Sequence, residues 1–193
     1  MAYIIGLTGG IGSGKTTLVN YMESLGIPVF IADEEAKKAM QSPHVLEEVK
    51  TSFGNSIFEN GQLNRQQLAS IVFSNPDKLK ELNSIIHPEV KRLFAIWLNQ
   101  HKTVPFVVYE AAILFESGSY QNCDYIITVT APLEDRITRV MQRDNCSREQ
   151  VLQRINAQWT DEERAAKSNF VIDNTTAQSA KNEIDNILKI LKN

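Results

Sequence analysis

Apolar residues collect in five short runs, Tyr3–Thr8, Pro28–Ile31, Val104–Tyr109, Tyr125–Thr130 and Phe170–Asp173, each of strand length. Between them apolar residues recur at helical spacing. The last such stretch, Ala177 to Lys192, puts Ile184, Ile187, Leu188 and Leu191 on one face and predicts a helix packed on a sheet. Strands alternating with helices predict an α/β chain whose five-stranded, largely parallel sheet is covered on both faces as a three-layer fold.

Two stretches depart from that alternation. Ser42 to Gln100 holds no clear sheet strand, and helix starts are expected at Ser42-Pro43, Asn64-Arg65 and Asn75-Pro76. Its Gly54–Gly61 segment reads as a turn-rich connection or a small hairpin. Pro132 to Lys167 carries two capping-box patterns, Ser147…Gln150 and Thr160…Glu163, which predict short helices. The organisation expected is a core (residues 1–41, 101–131 and 168–193), a helical insertion (42–100) and a lid region (132–167).

Glycines change this picture most. Residues Gly9 to Thr16 read GGIGSGKT, between the first apolar run and a helical pattern. Strand, glycine loop and helix form the phosphate-binding P-loop arrangement of the P-loop NTPase fold. The loop curls so that successive N–H groups face an anion, and the following helix adds its positive dipole end. Gly10, Ile11, Gly12, Ser13, Gly14, Lys15, Thr16 and Thr17 are the candidate nucleotide-binding residues. Lys15 suits the β- and γ-phosphates of ATP, and the Thr16 hydroxyl suits Mg²⁺.

Six of the eight arginines lie between Arg136 and Arg164, with no lysine among them. Arginine favours bidentate phosphate contacts. Arg139 and Arg143 are the candidates to neutralise a transferring phosphoryl group; salt bridges to Asp135, Asp144 and Glu149 are the structural alternative. Asp33 follows the second apolar run and reads as a base for an attacking hydroxyl, or as the cap of a helix beginning at Glu34. Glu110 reads equally as an acid near the metal or as a cap, whereas Glu116 reads as structural. His87-Pro88 interrupts a long helical pattern, where Pro88 should start a new helix or kink the old one. His87 is a capping or core residue or a substrate contact, and Arg65 an anion contact or a surface residue. Asn174 offers an amide to an adenine edge or starts a turn.

Bulk properties exclude other classes. A net charge of −3 disfavours a nucleic-acid binder. No apolar run approaches membrane-spanning length, and the N-terminus shows no signal-peptide pattern. Cys123 and Cys146, the only cysteines, read as reduced thiols of a cytoplasmic protein. Neither N-K-x-D nor D-x-x-G occurs, which disfavours a Ras-like GTPase.

Taken together, the chain resembles the dephospho-CoA kinase family. The matching segments are Leu7–Thr17, Leu25–Val29, Ala32-Asp33, Gly61–Arg65, Ile86–Val90, Leu114–Gly118, Arg139–Asp144, Ile155–Gln158 and Val171–Asn174. The resemblance implies a nucleotide-binding core, a helical domain for the CoA precursor, and a lid. It implies transfer of the ATP γ-phosphate, with Mg²⁺, to the ribose 3′-hydroxyl of dephospho-CoA. It implies Asp33 as catalytic base, Lys15 and the P-loop amides on ATP, Arg139 and Arg143 in the lid, and Arg65 and His87 toward the acceptor. Two positions depart from the family pattern: Ile31 stands where many members carry an acid, and Glu110–Leu114 where many carry Val-Pro-Leu-Leu. Without the resemblance, a P-loop kinase for another small hydroxyl acceptor and a non-catalytic nucleotide switch stand as alternatives. A monomer or weak homo-oligomer is expected, without nucleic-acid or membrane partners.

Overall fold

The computed structural model describes residues 2–59 and 61–192. They divide into two compact units, one running to Ile31 and resuming at His101, the other Ala32–Gln100.

The first unit is built on a parallel five-stranded sheet of β1 (Tyr3–Thr8), β2 (Val29–Ile31), β5 (Phe106–Glu110), β6 (Tyr125–Thr130) and β7 (Phe170–Asp173), in the order β2-β5-β1-β6-β7. β1 is central because its Ile5 and Leu7 are fully buried between β5 and β6. Two helices, α1 (Lys15–Ser24) and α9 (Ala177–Leu191), pack together and place Leu18, Val19, Met22, Ile184, Ile187 and Leu188 against Ile5, Leu7, Val108, Ile127 and Ile172. At Gly6 the backbone lies so near Cys123 and Leu114 that an added Cβ would sit 2.8 Å from the Cys123 sulfur. Burial pushes that thiol up to about 12, so it stays protonated.

The arginine-rich segment also belongs to the first unit. It folds as α6 (Leu133–Asp144), α7 (Arg148–Asn156) and α8 (Asp161–Ala165), and both expected capping boxes form. Ile137, Val140 and Val151 make a second small core, joined by Ile11 of the glycine loop.

The second unit holds α2 (Ala32–Ala39), α3 (Pro43–Phe53), α4 (Arg65–Phe73) and α5 (Pro76–Gln100), with a short antiparallel hairpin of β3 (Phe58–Glu59) and β4 (Gln62–Leu63). The hairpin overlaps the segment Gly54–Gly61, where a turn or hairpin is expected, and its second strand lies just beyond it; Asn60 lies outside the described residues. The unit starts at Ala32 rather than Ser42, because α2 packs on α5. Pro88 does not start a new helix: α5 runs through it. The lost N–H bond is offset by the buried face of Leu82, Ile86, Val90 and Phe94, which holds the helix on both sides of the proline. The helix after β2 begins at Ala32, so Asp33 lies inside its first turn and is not its cap.

Leu18 is fully buried where α1, α9 and the sheet meet. Leu18→Ala should cost about 2–5 kcal/mol of stability by loss of burial plus cavity formation. Urea unfolding checks this, and a cost under about 1 kcal/mol would mean that the site collapses around the smaller residue.

Candidate active site

The glycine loop leaves β1 at Thr8 and enters α1 at Lys15. Gly12 and Gly14 adopt φ of 79° and 91°, in the left-handed region that glycine enters without strain. With these turns every carbonyl of the loop meets a protein donor. Lys15 Nζ donates to Gly9 O at 2.9 Å, Ser13 N to Gly10 O at 3.1 Å, and Arg136 Nε to Ile11 O at 3.0 Å. Arg139 Nη1 reaches Gly12 O at 3.4 Å, Asn174 Nδ2 donates to Ser13 O at 2.8 Å, and Thr17 N to Gly14 O at 3.1 Å. Carbonyls turned to protein donors point away from an anion, which leaves the helix end and the loop amides not bonded within the protein to meet it; the expected Ile11 amide is not among these, since it donates to Gln158, nor is that of Ser13, which donates to Gly10 O. No acidic residue stands in the first turn of α1 to compete. The Ser13 hydroxyl is buried without a protein hydrogen-bond partner, a polar group suited to a ligand or solvent oxygen.

Lys15 also lies 3.8 Å from Glu110, both side chains largely buried. Glu110 ends β5 in register with Leu7 and Ile31, so the sheet itself sets this acid beside the loop. Thr16 is exposed on the first turn of α1.

The arginines divide. Arg136 is buried, donates to Asp161 at 2.8 Å, and presses on Gly10, whose added Cβ would overlap its guanidinium. Arg139 lies on the loop and donates to Asn174 O at 3.1 Å. Arg143 departs from the expectation that pairs it with Arg139. It is exposed one turn further on, where Nε and Nη2 grip Asp144, which Arg154 also binds. These two cations hold the Asp144 carboxyl down to about 2. Arg148 pairs with Glu134. Asn174 is buried with its amide N–H turned to Ser13, so in this structure it holds the loop rather than offering that donor to a base.

The second unit carries the remaining candidates. Asp33 is exposed in α2. Arg65 opens α4, exposed, and donates to Lys37 O of α2 at 3.3 Å. His87 is half-buried in α5, and desolvation pulls its pKa below the ordinary 6.5. The units thus hold Lys15, Arg139 and Asn174 in one and Asp33, Arg65 and His87 in the other.

Sequence reasoning missed three clusters. Arg164, fully buried, bridges Asp161 and Glu116. Gln158 accepts from the Ile11 N–H at 2.9 Å. Glu89, buried, takes a bidentate grip from Arg92 and lies 3.2 Å from His44. The first had one sequence signal, the excess of arginine over lysine. The second had only the family-matching segment Ile155–Gln158, with no sign of its partner, since the two are far apart in the chain.

The dephospho-CoA kinase family model matches residues 3–179. The chain belongs to the dephospho-CoA kinase family. Within that family, a dephospho-CoA kinase of Bacteroides fragilis is 42% identical over 175 residues, covering 90% of this chain and 85% of the relative. One from Thermus thermophilus is 41% identical over 172 residues, covering 89% and 83%. A crystal structure from Thermus thermophilus superposes with a TM-score of 0.89 at 38% identity over 98% of both chains. The dephospho-CoA kinase of Campylobacter jejuni superposes with 0.70 at 30% identity, over 100% of this chain and 98% of the other. Shikimate kinase from Acinetobacter baumannii, at 14% identity and a TM-score of 0.59 over 99% and 93% of the chains, shares the fold alone.

Gly12→Ala should weaken ATP binding at least about tenfold, because the new Cβ strains a positive φ and would land 2.5 Å from the Arg136 carbonyl. Calorimetric titration checks this. For His87, whose folded pKa is lowered, stability is complete above pH 6.5 and falls as the pH drops through the window below 6.5. Urea unfolding at pH 7.5 and 5.5, values chosen about a unit either side of an ordinary imidazole pKa, should show that loss. His87→Gln should flatten it.

Proposed function

We propose that this chain transfers the γ-phosphoryl group of ATP to the ribose 3′-hydroxyl of dephospho-CoA, giving CoA and ADP as the last step of CoA synthesis. The observation that carries the reading is a glycine loop whose carbonyls from Gly9 to Gly14 all meet protein donors, within a chain matching the dephospho-CoA kinase family over residues 3–179.

The loop amides not bonded within the protein, with Lys15, bind the ATP phosphates, and Arg139 adds charge beside them. Phosphoryl transfer asks mainly for positioning and charge neutralisation. Thr16, exposed at the head of α1, would hold Mg²⁺. That fits an ion that takes one or two protein groups and completes its shell with phosphate oxygens and water. When bound, Mg²⁺ supplies positive charge to the β- and γ-oxygens. Asp33 takes the 3′-hydroxyl proton as that oxygen bonds to phosphorus and the β–γ bridge breaks. Its support is its chain position, two residues beyond Ile31, which is in register with Glu110 beside Lys15. Arg65 and His87 bind the acceptor, and the Asn174 carbonyl oxygen remains the atom for an adenine contact. Arg143 is assigned to the outer lid, where it recruits phosphate only by exchanging Asp144.

The cytoplasm is the proposed location, with a monomer or weak homo-oligomer and no nucleic-acid or membrane partner. This is supported by a net charge of −3 and by the lack, among the described residues, of a helix long and apolar enough to cross a membrane.

ADP release from MgATP should depend on dephospho-CoA, and the product should have the mass of CoA. Release indifferent to dephospho-CoA, with no CoA formed, sends the search to another hydroxyl acceptor or to a switch. Asp33→Asn should lower kcat by about 10² or more, the scale of a lost general base. Lys15→Ala should remove most activity through lost phosphate stabilisation. Wild-type turnover in either variant sinks that assignment.

A further inference from the structure

Two peptide planes of the glycine loop are fixed from outside it. The Ile11 N–H, in the Gly10–Ile11 peptide, donates to Gln158 Oε1 at 2.9 Å. The Ile11 carbonyl, in the next peptide, accepts from Arg136 Nε at 3.0 Å. Gln158 lies in the connector between α7 and α8, and that connector is anchored on all sides. Trp159 stacks on Phe115 with ring centroids 5.4 Å apart and planes 3° from parallel. Its N–H donates to Glu116 at 3.1 Å. Lys167 covers the Trp159 ring, and Thr160 caps α8. Asp161, the next residue, holds Arg136 and Arg164. Gln158 therefore reaches Ile11 from a rigid base, 147 residues away in sequence.

We propose that Gln158 is a positioning residue for the nucleotide phosphates. By accepting from Ile11 it removes that N–H from the set available to phosphate and fixes the tilt of the Gly10–Ile11 peptide. With Arg136 on the following peptide, this sets the direction in which the next amides of the loop point. The oxygen identity follows from chemistry, since only an acceptor satisfies the Ile11 N–H. The proposal rests on the loop being the ATP site.

The test compares Gln158→Met, similar in length but a poor acceptor, with Gln158→Glu, which keeps an acceptor. ADP binding is measured calorimetrically without any phosphoryl acceptor, alongside thermal melting and the KM for dephospho-CoA. Gln158→Met should weaken ADP about tenfold, the scale of one hydrogen bond. Its KM for dephospho-CoA should be unchanged and its melting temperature should fall by about 2–4 °C, whereas Gln158→Glu, which keeps the acceptor but sets a carboxylate beside the phosphates, should keep the wild-type melting temperature while binding ADP less tightly. Gln158→Ala repeats the comparison should the methionine variant not fold. Wild-type ADP affinity in Gln158→Met overturns the proposal. So does a parallel loss for both substrates. A wild-type protein that binds ADP yet forms no CoA would sink the acceptor assignment while leaving the Gln158 comparison intact.

Discussion

A loop that binds phosphate must present N–H groups, so its carbonyls must be held elsewhere. This requirement organises the first unit. The carbonyls of Gly9, Ile11, Gly12 and Ser13 are held by the side chains of Lys15, Arg136, Arg139 and Asn174. Those donors come from α1, from α6 and from the end of β7, so three separate elements must arrive before the loop has its shape. An isolated glycine-rich segment has no such preference, because glycine loses more backbone entropy on ordering than any other residue.

The donors have to be fixed in turn, and that explains the buried charge. Arg136 and Arg164 are almost completely removed from solvent, an arrangement that costs desolvation and lowers the Arg164 pKa through burial. Asp161 sits between both guanidiniums, and Glu116 faces Arg164 from the loop after β5. A pair of apolar residues would fill the same space at no less stability. Neither would present an N–H to Ile11 at a defined angle. The charge network is thus better read as a device for orientation than as a source of stability.

Much of this was legible in the sequence, and the remainder was hidden for identifiable reasons. The runs at Tyr3–Thr8 and Tyr125–Thr130 are strands with those bounds because a buried parallel strand is apolar along its length, and Phe170–Asp173, at the sheet edge, is a strand that buries only Ile172 fully. The glycine loop announces itself through GGIGSGKT, and both capping boxes through local spacing. Helical spacing places Arg136, Arg139 and Arg143 on a common face, but it carries no information about the partner of each. Asp161 captures Arg136 and Asp144 captures Arg143, so neighbours on one face end in a buried and an exposed setting. Gln158 closes one of the family-matching segments, Ile155–Gln158, but nothing local names its partner, since an amide that accepts a distant N–H looks like any polar surface residue. Pro88 misleads in the opposite direction: its local cost is real, and the buried face of α5 exceeds it.

The same contacts bear on what kind of lid residues 132–167 form. A flap free to swing over ATP would need few contacts with the loop in its resting state. α6 instead is bound through Arg136 and Arg139 to three successive loop carbonyls, and its Ile137 and Val140 pack with Ile11. Moving α6 as a body would therefore pull the phosphate loop out of shape. The outer pairs are of another kind: Arg143, Arg154 and Arg148 are exposed and held only by Asp144 and Glu134, contacts that water and salt screen readily. The side chains freest to rearrange are therefore these distal ones. Arg136 and Arg139 act as part of the loop's foundation.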